Sequence, residues 1–279
     1  MVHHFYLFFL AALQGVTELF PISSLGHSIL VPAIFRWPIN RDASWFLPFI
    51  VVLHLGTLAA LLSFFWRDWV SLLGAFLRDR GRPRSAETRL LWLLVLASIP
   101  AGLLGLALAH RIKDLFGGFS FAAVALMVNG ILLIWGDRLR AREPSHNLEK
   151  LSWQRALVIG FAQSLALIPG FSRSGATLVA GIGVGLDYAN SARFSFLLAT
   201  PIIGAAGLLE VPKLVHQHLQ HGLLGVIIIA GIISAIFAWF SVWFLMRYFH
   251  QHEIKALRPF GIYCILFGIF ALIVGNGGL

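Results

Sequence analysis

The sequence predicts an all-α polytopic membrane protein: six full transmembrane helices plus two re-entrant helix-loop-helix pairs, arranged as an inverted-topology repeat. Three observations predict it. Of 279 residues, 58% are hydrophobic and only 12% charged, against about 25% charged in a soluble domain. Six stretches contain no Asp, Glu, Lys or Arg and approach the roughly 20 residues that a helical crossing needs. Two more apolar regions are each broken near the middle by Pro, Ser and Gly together with a charge. This composition excludes a water-exposed globule and a disordered chain, and 24 Phe with 9 Trp suit a lipid-facing surface and its interfacial belts.

In chain order, the first broken region covers about 5–35 and is interrupted by Glu18-Leu-Phe-Pro-Ile-Ser-Ser-Leu-Gly-His27. Its opening imitates a signal-peptide core, but residues 1–4 hold no Lys or Arg and the polar Gln14 and Glu18 follow closely, so it is expected to be mature structure. Spans are expected over 43–66, 90–109 and 116–136. The second broken region, 152–186, is interrupted by Ile168-Pro-Gly-Phe-Ser-Arg-Ser-Gly175, and spans follow over 194–209, 223–246 and 259–274.

Backbone that leaves the helix at membrane depth must be buried in protein or line a polar cavity, because lipid offers it no hydrogen-bond partner. Both breaks therefore read as re-entrant pairs. A re-entrant pair returns to the side it entered from, so each half contributes one pair and three crossings, and an odd number inverts the second half. The expectation is a single membrane domain of two inverted repeats, about 1–137 and 152–279, joined by a basic loop. Such folds place a site at the midplane between the broken helices. Gln14, Pro21, Ser24 and Gly26 find echoes in Gln163, Pro169, Ser172 and Ser174, with a one-residue offset at the glutamine.

The basic residues set the orientation. Arg67, Arg78, Arg80, Arg82, Arg84, Arg89, Arg138, Arg140, Arg142, Lys150, Arg155, Arg247, Lys255 and Arg258 fall on one side, and only Arg36, Arg41, Arg111, Lys113 and Lys213 on the other. By the positive-inside rule both termini are expected outside. The net charge of +9 is spread between apolar runs rather than along one face, which argues against a nucleic-acid partner. The one cysteine, Cys264, excludes an internal disulfide and has no assigned role.

Glu18 and Arg173 are the two charges far from any span end. A charge at membrane depth costs at least about 2.5–3.5 kcal/mol, so such residues pair or line a functional cavity. A purely structural ion pair joining the repeats is one reading, and a polar chamber is the other. Gln14 and Glu18, four apart before Pro21, share one helix face. Ser23 and Ser24 fall where a new helix begins, and one of them is expected to cap it. His27 is expected one turn from Ser24, close enough to exchange a proton. Ser172, Arg173, Ser174 and Thr177 add three hydroxyls and a guanidinium at the start of the other new helix. Helix N-termini and Arg both favour phosphate, and Glu18 would tolerate that guest through a divalent cation held by Glu18, with Gln14 beside it.

Weaker candidates are His54 and Thr57 within the first span, for which packing is the ordinary role. Gly181, Gly183 and Gly185 permit close helix contact, Asp187, Arg193 and Glu210 sit at span ends, and His216, His218 and His221 form an outer-loop histidine group. No Walker, Rossmann or metalloprotease motif occurs.

Gln14-Gly-Val-Thr-Glu18-Leu-Phe-Pro21-Ile-Ser23-Ser24-Leu-Gly-His27 and Pro169-Gly-Phe-Ser172-Arg173-Ser174-Gly-Ala-Thr177 resemble the two signature motifs of the undecaprenyl-diphosphate phosphatase (bacitracin-resistance protein) family, over essentially the whole chain. The resemblance implies a bacterial plasma-membrane enzyme that removes the terminal phosphate of undecaprenyl diphosphate. That reaction recycles the lipid carrier for cell-wall synthesis and confers bacitracin resistance. It implies a divalent cation (Mg²⁺ or Ca²⁺), a homodimer in contact with membrane lipids, and a site open to the outer, periplasmic face. By position, Glu18 and Gln14 match the acidic motif for metal and proton transfer, Ser24 and His27 the catalytic pair, and Arg173 the diphosphate-binding arginine. Where some members have Glu, Gln14 is a neutral amide, which leaves Glu18 as the sole carboxylate. Either Ser24 or His27 remains open as nucleophile, and a transporter or flippase for an anionic lipid or phosphate-bearing solute is the alternative from another class.

Overall fold

The first break falls where Pro21 interrupts an apolar run: helix α1 (His4–Leu19) stops just short of it, and α2 (Ser24–Ile34) starts afresh after a four-residue turn. Ser23 stands in that turn at φ 68°, and its Oγ accepts from the amide of Gly26 at 3.1 Å. This cap satisfies one of the free amides that begin a helix. The computed structural model describes residues 4–41, 43, 45–116, 118–139, 147–216, 223–252 and 254–276.

The second break repeats the plan. α7 (Trp153–Gln163) passes through a 3-10 turn at Ser164–Leu167 into the Pro169-Gly170 corner, and α8 (Arg173–Gly183) begins behind it. Ser172 caps α8, accepting from Gly175 N at 3.1 Å. Gly170 has φ +104° and lies so close to the backbone of Ala122 that a Cβ there would stand 2.5 Å from the carbonyl oxygen. Only glycine suits both conditions.

Around these pairs stand α3 (Phe46–Phe64), α4 (Trp66–Arg78), α5 (Ala86–Phe116), α6 (Phe119–Gly136), α9 (Tyr188–His216), α10 (Leu223–Gln251) and α11 (Arg258–Asn276). Among the described residues every regular element is helical, and six helices (α3, α5, α6, α9, α10 and α11) are long and apolar enough to cross a membrane. They match the six expected spans.

Their bounds shift by a few residues, α9 beginning at Tyr188 and α10 running to Gln251, and at 43–66 helix α3 begins only at Phe46 while Trp66 starts a separate helix. This helix, α4, lies between the expected spans at 43–66 and 90–109. Its sequence is amphipathic: Leu72 and Ala75 are buried, Trp66, Val70, Leu73 and Leu77 are exposed along the opposite side, and Arg67 and Arg78 stand near its ends. It has too few apolar residues to span and suits an interfacial position.

The central-loop residues Arg140 and Arg142 and the outer-loop residues His218 and His221 lie outside the described residues, as do the side chains of Arg111, Lys113, Lys213 and His216.

Packing pairs the halves. α1 packs on α10 as α7 packs on α5, α3 lies on both α9 and α10, and α6 lies along α11. Where α6 meets α11, Gly130 and Gly261 face one another, and a Cβ on Gly130 would lie 2.5 Å from the Gly261 carbonyl oxygen. Close backbone approach of this kind substitutes for the hydrophobic drive that lipid does not supply between helices. Large apolar side chains such as Leu106, Ile131, Phe240, Leu266 and Ile273 are exposed instead on the outside. At one end, Asp137 accepts from Tyr188 Oη at 2.7 Å and from Leu257 N at 3.1 Å, joining α6, α9 and α11. Asp68 of α4 pairs with Arg193 of α9, which gives Arg193 a structural role.

Candidate functional site

The turns after α1 and before α8 are held against each other by Asn129, in the middle of α6. Its amide nitrogen donates to the Pro21 carbonyl at 3.1 Å, and its Oδ1 accepts from Ser172 N at 3.0 Å. Ser174 Oγ donates to the Phe20 carbonyl at 2.9 Å. These bonds satisfy backbone groups that the breaks have freed, and they bring the N-termini of α2 and α8 to one cavity.

That cavity has a volume of 360 Å³. One part of its wall is polar, with Gln14, Glu18, Ser24, Ser28, His54, Gln163, Ser172 and Arg173. The remainder is apolar, with Leu25, Ile50, Val51, Ala101, Ala166, Leu167, Phe171, Ile202, Ile203, Ala206 and Gly207. Such a wall suits a guest with a charged head and a hydrocarbon body.

Glu18 is the hub. Its Oε1 accepts from Arg173 Nη2 at 3.0 Å, so the two charges from opposite halves of the chain meet. Its Oε2 accepts from Ser24 Oγ at 2.5 Å and from Gln14 Nε2 at 2.9 Å. His54 Nε2 stands 3.4 Å from the same oxygen and 3.2 Å from Gln14 Nε2. The His54 ring is oriented by its Nδ1–H, which donates to the Ile50 carbonyl at 2.8 Å. Charge-assisted bonds of this kind are the strong ones, and here they aim a serine hydroxyl, a carboxylate and a guanidinium into one space. Arg173 keeps a second edge: Nη1 is buried and has no hydrogen-bond partner.

Not every expected residue joins the cluster. His27 does not meet Ser24. Its Nδ1–H donates to the Ser23 carbonyl at 2.7 Å, and its Nε2 accepts from Tyr263 Oη at 2.8 Å. Its ring lies parallel to Tyr263 and Phe267, with centroids 5.7 and 5.0 Å away. The helix turn that brings positions 24 and 27 near each other along the axis also swings their side chains apart, so His27 packs on α11 while Ser24 faces Glu18. Thr177 likewise turns away, donating to the Arg173 carbonyl at 2.8 Å and meeting Ser195 Oγ at 2.6 Å. Ser23 is the cap, and Ser24 is the hydroxyl turned to Glu18. Ser172 both caps α8 and lines the cavity. Thr57 is buried, with its hydroxyl 3.4 Å from the Leu53 carbonyl, and plays a packing part.

Sequence reasoning ranked His54 too low and missed Asn129 and Gln163 as site residues. Each left a signal: a polar side chain in an otherwise apolar run. Gln163 is 2% exposed, lines the cavity, and neither its Nε2 nor its Oε1 has a partner.

A resident cation finds little here. Among the described residues no group of three or more His, Cys, Asp or Glu is placed to hold a metal ion. The donors present, one carboxylate, one amide oxygen and the His54 ring nitrogen beside them, fit a divalent cation only when substrate phosphates complete its shell.

Fold and site thus define a polytopic helical membrane protein with an amphipathic ligand chamber sunk between two broken helices. The chain belongs to the bacitracin resistance protein BacA family, whose model matches residues 7–270. It is 55% identical over 263 residues to undecaprenyl-diphosphatase 2 of Chromobacterium violaceum, covering 94% of this chain and 95% of that one. It is 48% identical over 269 residues to undecaprenyl-diphosphatase 2 of Burkholderia lata, covering 96% and 95% respectively. The undecaprenyl-diphosphatase of Acidiphilium cryptum is 46% identical over 269 residues, covering 95% of each chain.

Proposed function

We propose that this protein hydrolyses undecaprenyl diphosphate to undecaprenyl phosphate and inorganic phosphate, with the attendant resistance to bacitracin. The observation that carries the reading is the shared contact of Ser24 and Arg173 with the Glu18 carboxylate, at 2.5 and 3.0 Å, in a chamber whose other wall is apolar. The relatives' names point to the same substrate.

In this mechanism Ser24 Oγ attacks the terminal phosphorus, the bond from that phosphorus to the bridging oxygen breaks, and undecaprenyl phosphate leaves. The Ser24 proton passes to Glu18 Oε2, which already accepts it as a hydrogen bond. Arg173, through Nη1 and its link to Glu18, and the amides at the α8 N-terminus balance the charge on the equatorial oxygens. Water then attacks the phosphoserine. Glu18 returns its proton to the departing Ser24 oxygen, and both hydrogens of the water leave with inorganic phosphate. His27, held on both ring nitrogens, takes no part in proton transfer. A divalent cation, Mg²⁺ or Ca²⁺, would arrive with the diphosphate and be held by Glu18 and by Gln14 through its amide oxygen. It would supply positive charge beside the phosphates.

The chain is a multi-pass protein of the bacterial plasma membrane, with α1–α2 and α7–α8 as re-entrant pairs of two inverted repeats, 1–137 and 152–279. Support comes from the exchanged packing of α1 on α10 and α7 on α5, and of α6 against its counterpart α11. Both termini lie outside and the chamber opens to the periplasmic face, on the strength of the basic-loop asymmetry. Assembly as a homodimer is part of the same reading.

A phosphate-release assay with undecaprenyl diphosphate tests it. Turnover by the native protein should fall about 10³-fold or more in Ser24→Ala, and fall strongly in Arg173→Ala. Rapid-quench trapping should map the phosphoryl group to Ser24. Undiminished release in both variants, or phosphate on His27, would overturn the mechanism.

A further inference from the structure

Gln14, in the helix before the first break, and Gln163, at the end of the helix before the second, both line the chamber. Gln14 is engaged, bonded to Glu18 at 2.9 Å and 3.2 Å from His54. Gln163 is as deeply buried, at 2% exposure, yet both of its amide atoms are without a hydrogen-bond partner. A buried amide left unpaired on both atoms is costly. An apolar residue of the same size would be tolerated better by the empty fold, so the amide points to a guest.

Its place in the wall indicates which part of the guest it meets. The reacting end is defined by Ser24, Glu18 and Arg173, and Gln163 bonds to none of them. Along its own chain Gln163 is followed by Ala166, Leu167 and Phe171, all lining the apolar wall, and Ile202, Ile203 and Ala206 of α9 continue that wall. Along the chain, then, Gln163 is the polar lining residue from which this apolar wall begins. For a lipid diphosphate whose terminal phosphorus sits at Ser24, that boundary is where headgroup gives way to hydrocarbon.

We propose that Gln163 is the binding residue for the inner, chain-proximal phosphoryl group, its NH₂ donating to a phosphoryl oxygen and its Oε1 accepting from a hydroxyl or water carried with the headgroup. This deepens the phosphatase reading and rests on it for the position of the terminal phosphorus. Arg173 and Ser24 then select any phosphate, whereas Gln163 selects a second phosphorus bearing a hydrocarbon chain. It also makes Gln163 a determinant of affinity for the product, which retains only the inner phosphate.

The experiment compares native protein with Gln163→Leu in detergent, with binding read by ligand-induced shift in melting temperature. The two probes are undecaprenyl phosphate, which carries the inner phosphate alone, and inorganic phosphate, which stands for the terminal one. Expected is an affinity for undecaprenyl phosphate about 10-fold weaker in the variant, with that for inorganic phosphate within about 2-fold. The melting temperature of the ligand-free variant should equal or exceed that of the native protein, because an unpaired amide has been removed. A variant that melts lower without ligand assigns Gln163 to the fold and overturns the proposal. So does equal loss for both probes, or no loss for undecaprenyl phosphate. Because the readout is binding, absence of hydrolysis in the native protein would defeat the phosphatase reading separately.

Discussion

The two broken helices share a plan and differ in what their polar groups bond to. At the end of α1, the carboxylate of Glu18 is engaged on both oxygens, by Ser24 and Gln14 on one and by Arg173 on the other. Around the second break, the Gln163 amide, Ser164 Oγ and the Nη1 edge of Arg173 are buried with no partner. The first break is organised by its own bonds, as a pre-positioned reaction centre requires. The second holds donors in reserve, as a binding surface does. On the proposed reading, the two breaks form one chamber with two different walls, one for chemistry and one for the guest.

Substitutions sharpen this contrast. The largest effect belongs to Glu18→Gln: it breaks a buried ion pair and leaves Arg173 uncompensated, at a cost of about 3–5 kcal/mol. It should also abolish phosphate release. A variant that keeps native stability would mean that the first wall is not held by this carboxylate. Next is Asn129→Ala, which orphans the Pro21 carbonyl and Ser172 amide on which the two turns meet. With about 1–3 kcal/mol for each buried group left unpaired, thermal unfolding in detergent should show a fall of several degrees, and turnover should fall with it.

Smaller effects follow at the caps. Ser23→Ala and Ser172→Ala each remove one cap bond, about 1 kcal/mol apiece. Only Ser172→Ala should weaken phosphate binding, because only Ser172 lines the chamber. Equal effects on binding would erase the distinction between the walls.

The smallest lies away from both, in the turn from α4 to α5. There Asp79 accepts from Ser85 Oγ at 2.5 Å and from Thr88 Oγ1 at 2.7 Å. These bonds hold its carboxyl below the ordinary range. A depressed carboxyl stabilises the fold above its unfolded pKa, and that contribution is lost as pH falls through the folded value. Native protein should therefore melt above Asp79→Asn near neutrality, and the gap should close in acid. A constant gap would assign the effect to packing instead.

Much of this was legible residue by residue. Runs without charge located the six helices because length and apolarity are the only requirements for a crossing, and α4 escaped because it is too short and too charged to register as a span. Glu18 and Arg173 stood out because a membrane penalises unpaired charge. Gln14, Ser24, Ser172 and Arg173 do line one chamber. His27 and Thr177 were expected there, and their side chains turn instead to Tyr263 and Ser195. Periodicity places a residue on a helix face but does not name the helix that covers it. Asn129 and Gln163 were visible only as polar letters in apolar words.

By itself, then, the sequence determined that the chain is a helical membrane protein with two interrupted helices and two charges obliged to find partners, since those conclusions follow from composition and local pattern alone. Tertiary structure decided that Glu18 meets Arg173 across 155 positions of chain, that Ser24 rather than His27 faces them, and that one glutamine is satisfied while its counterpart is not. Those outcomes depend on which helix faces which, and that is settled by the packing of glycines and buried polar groups far apart in the chain.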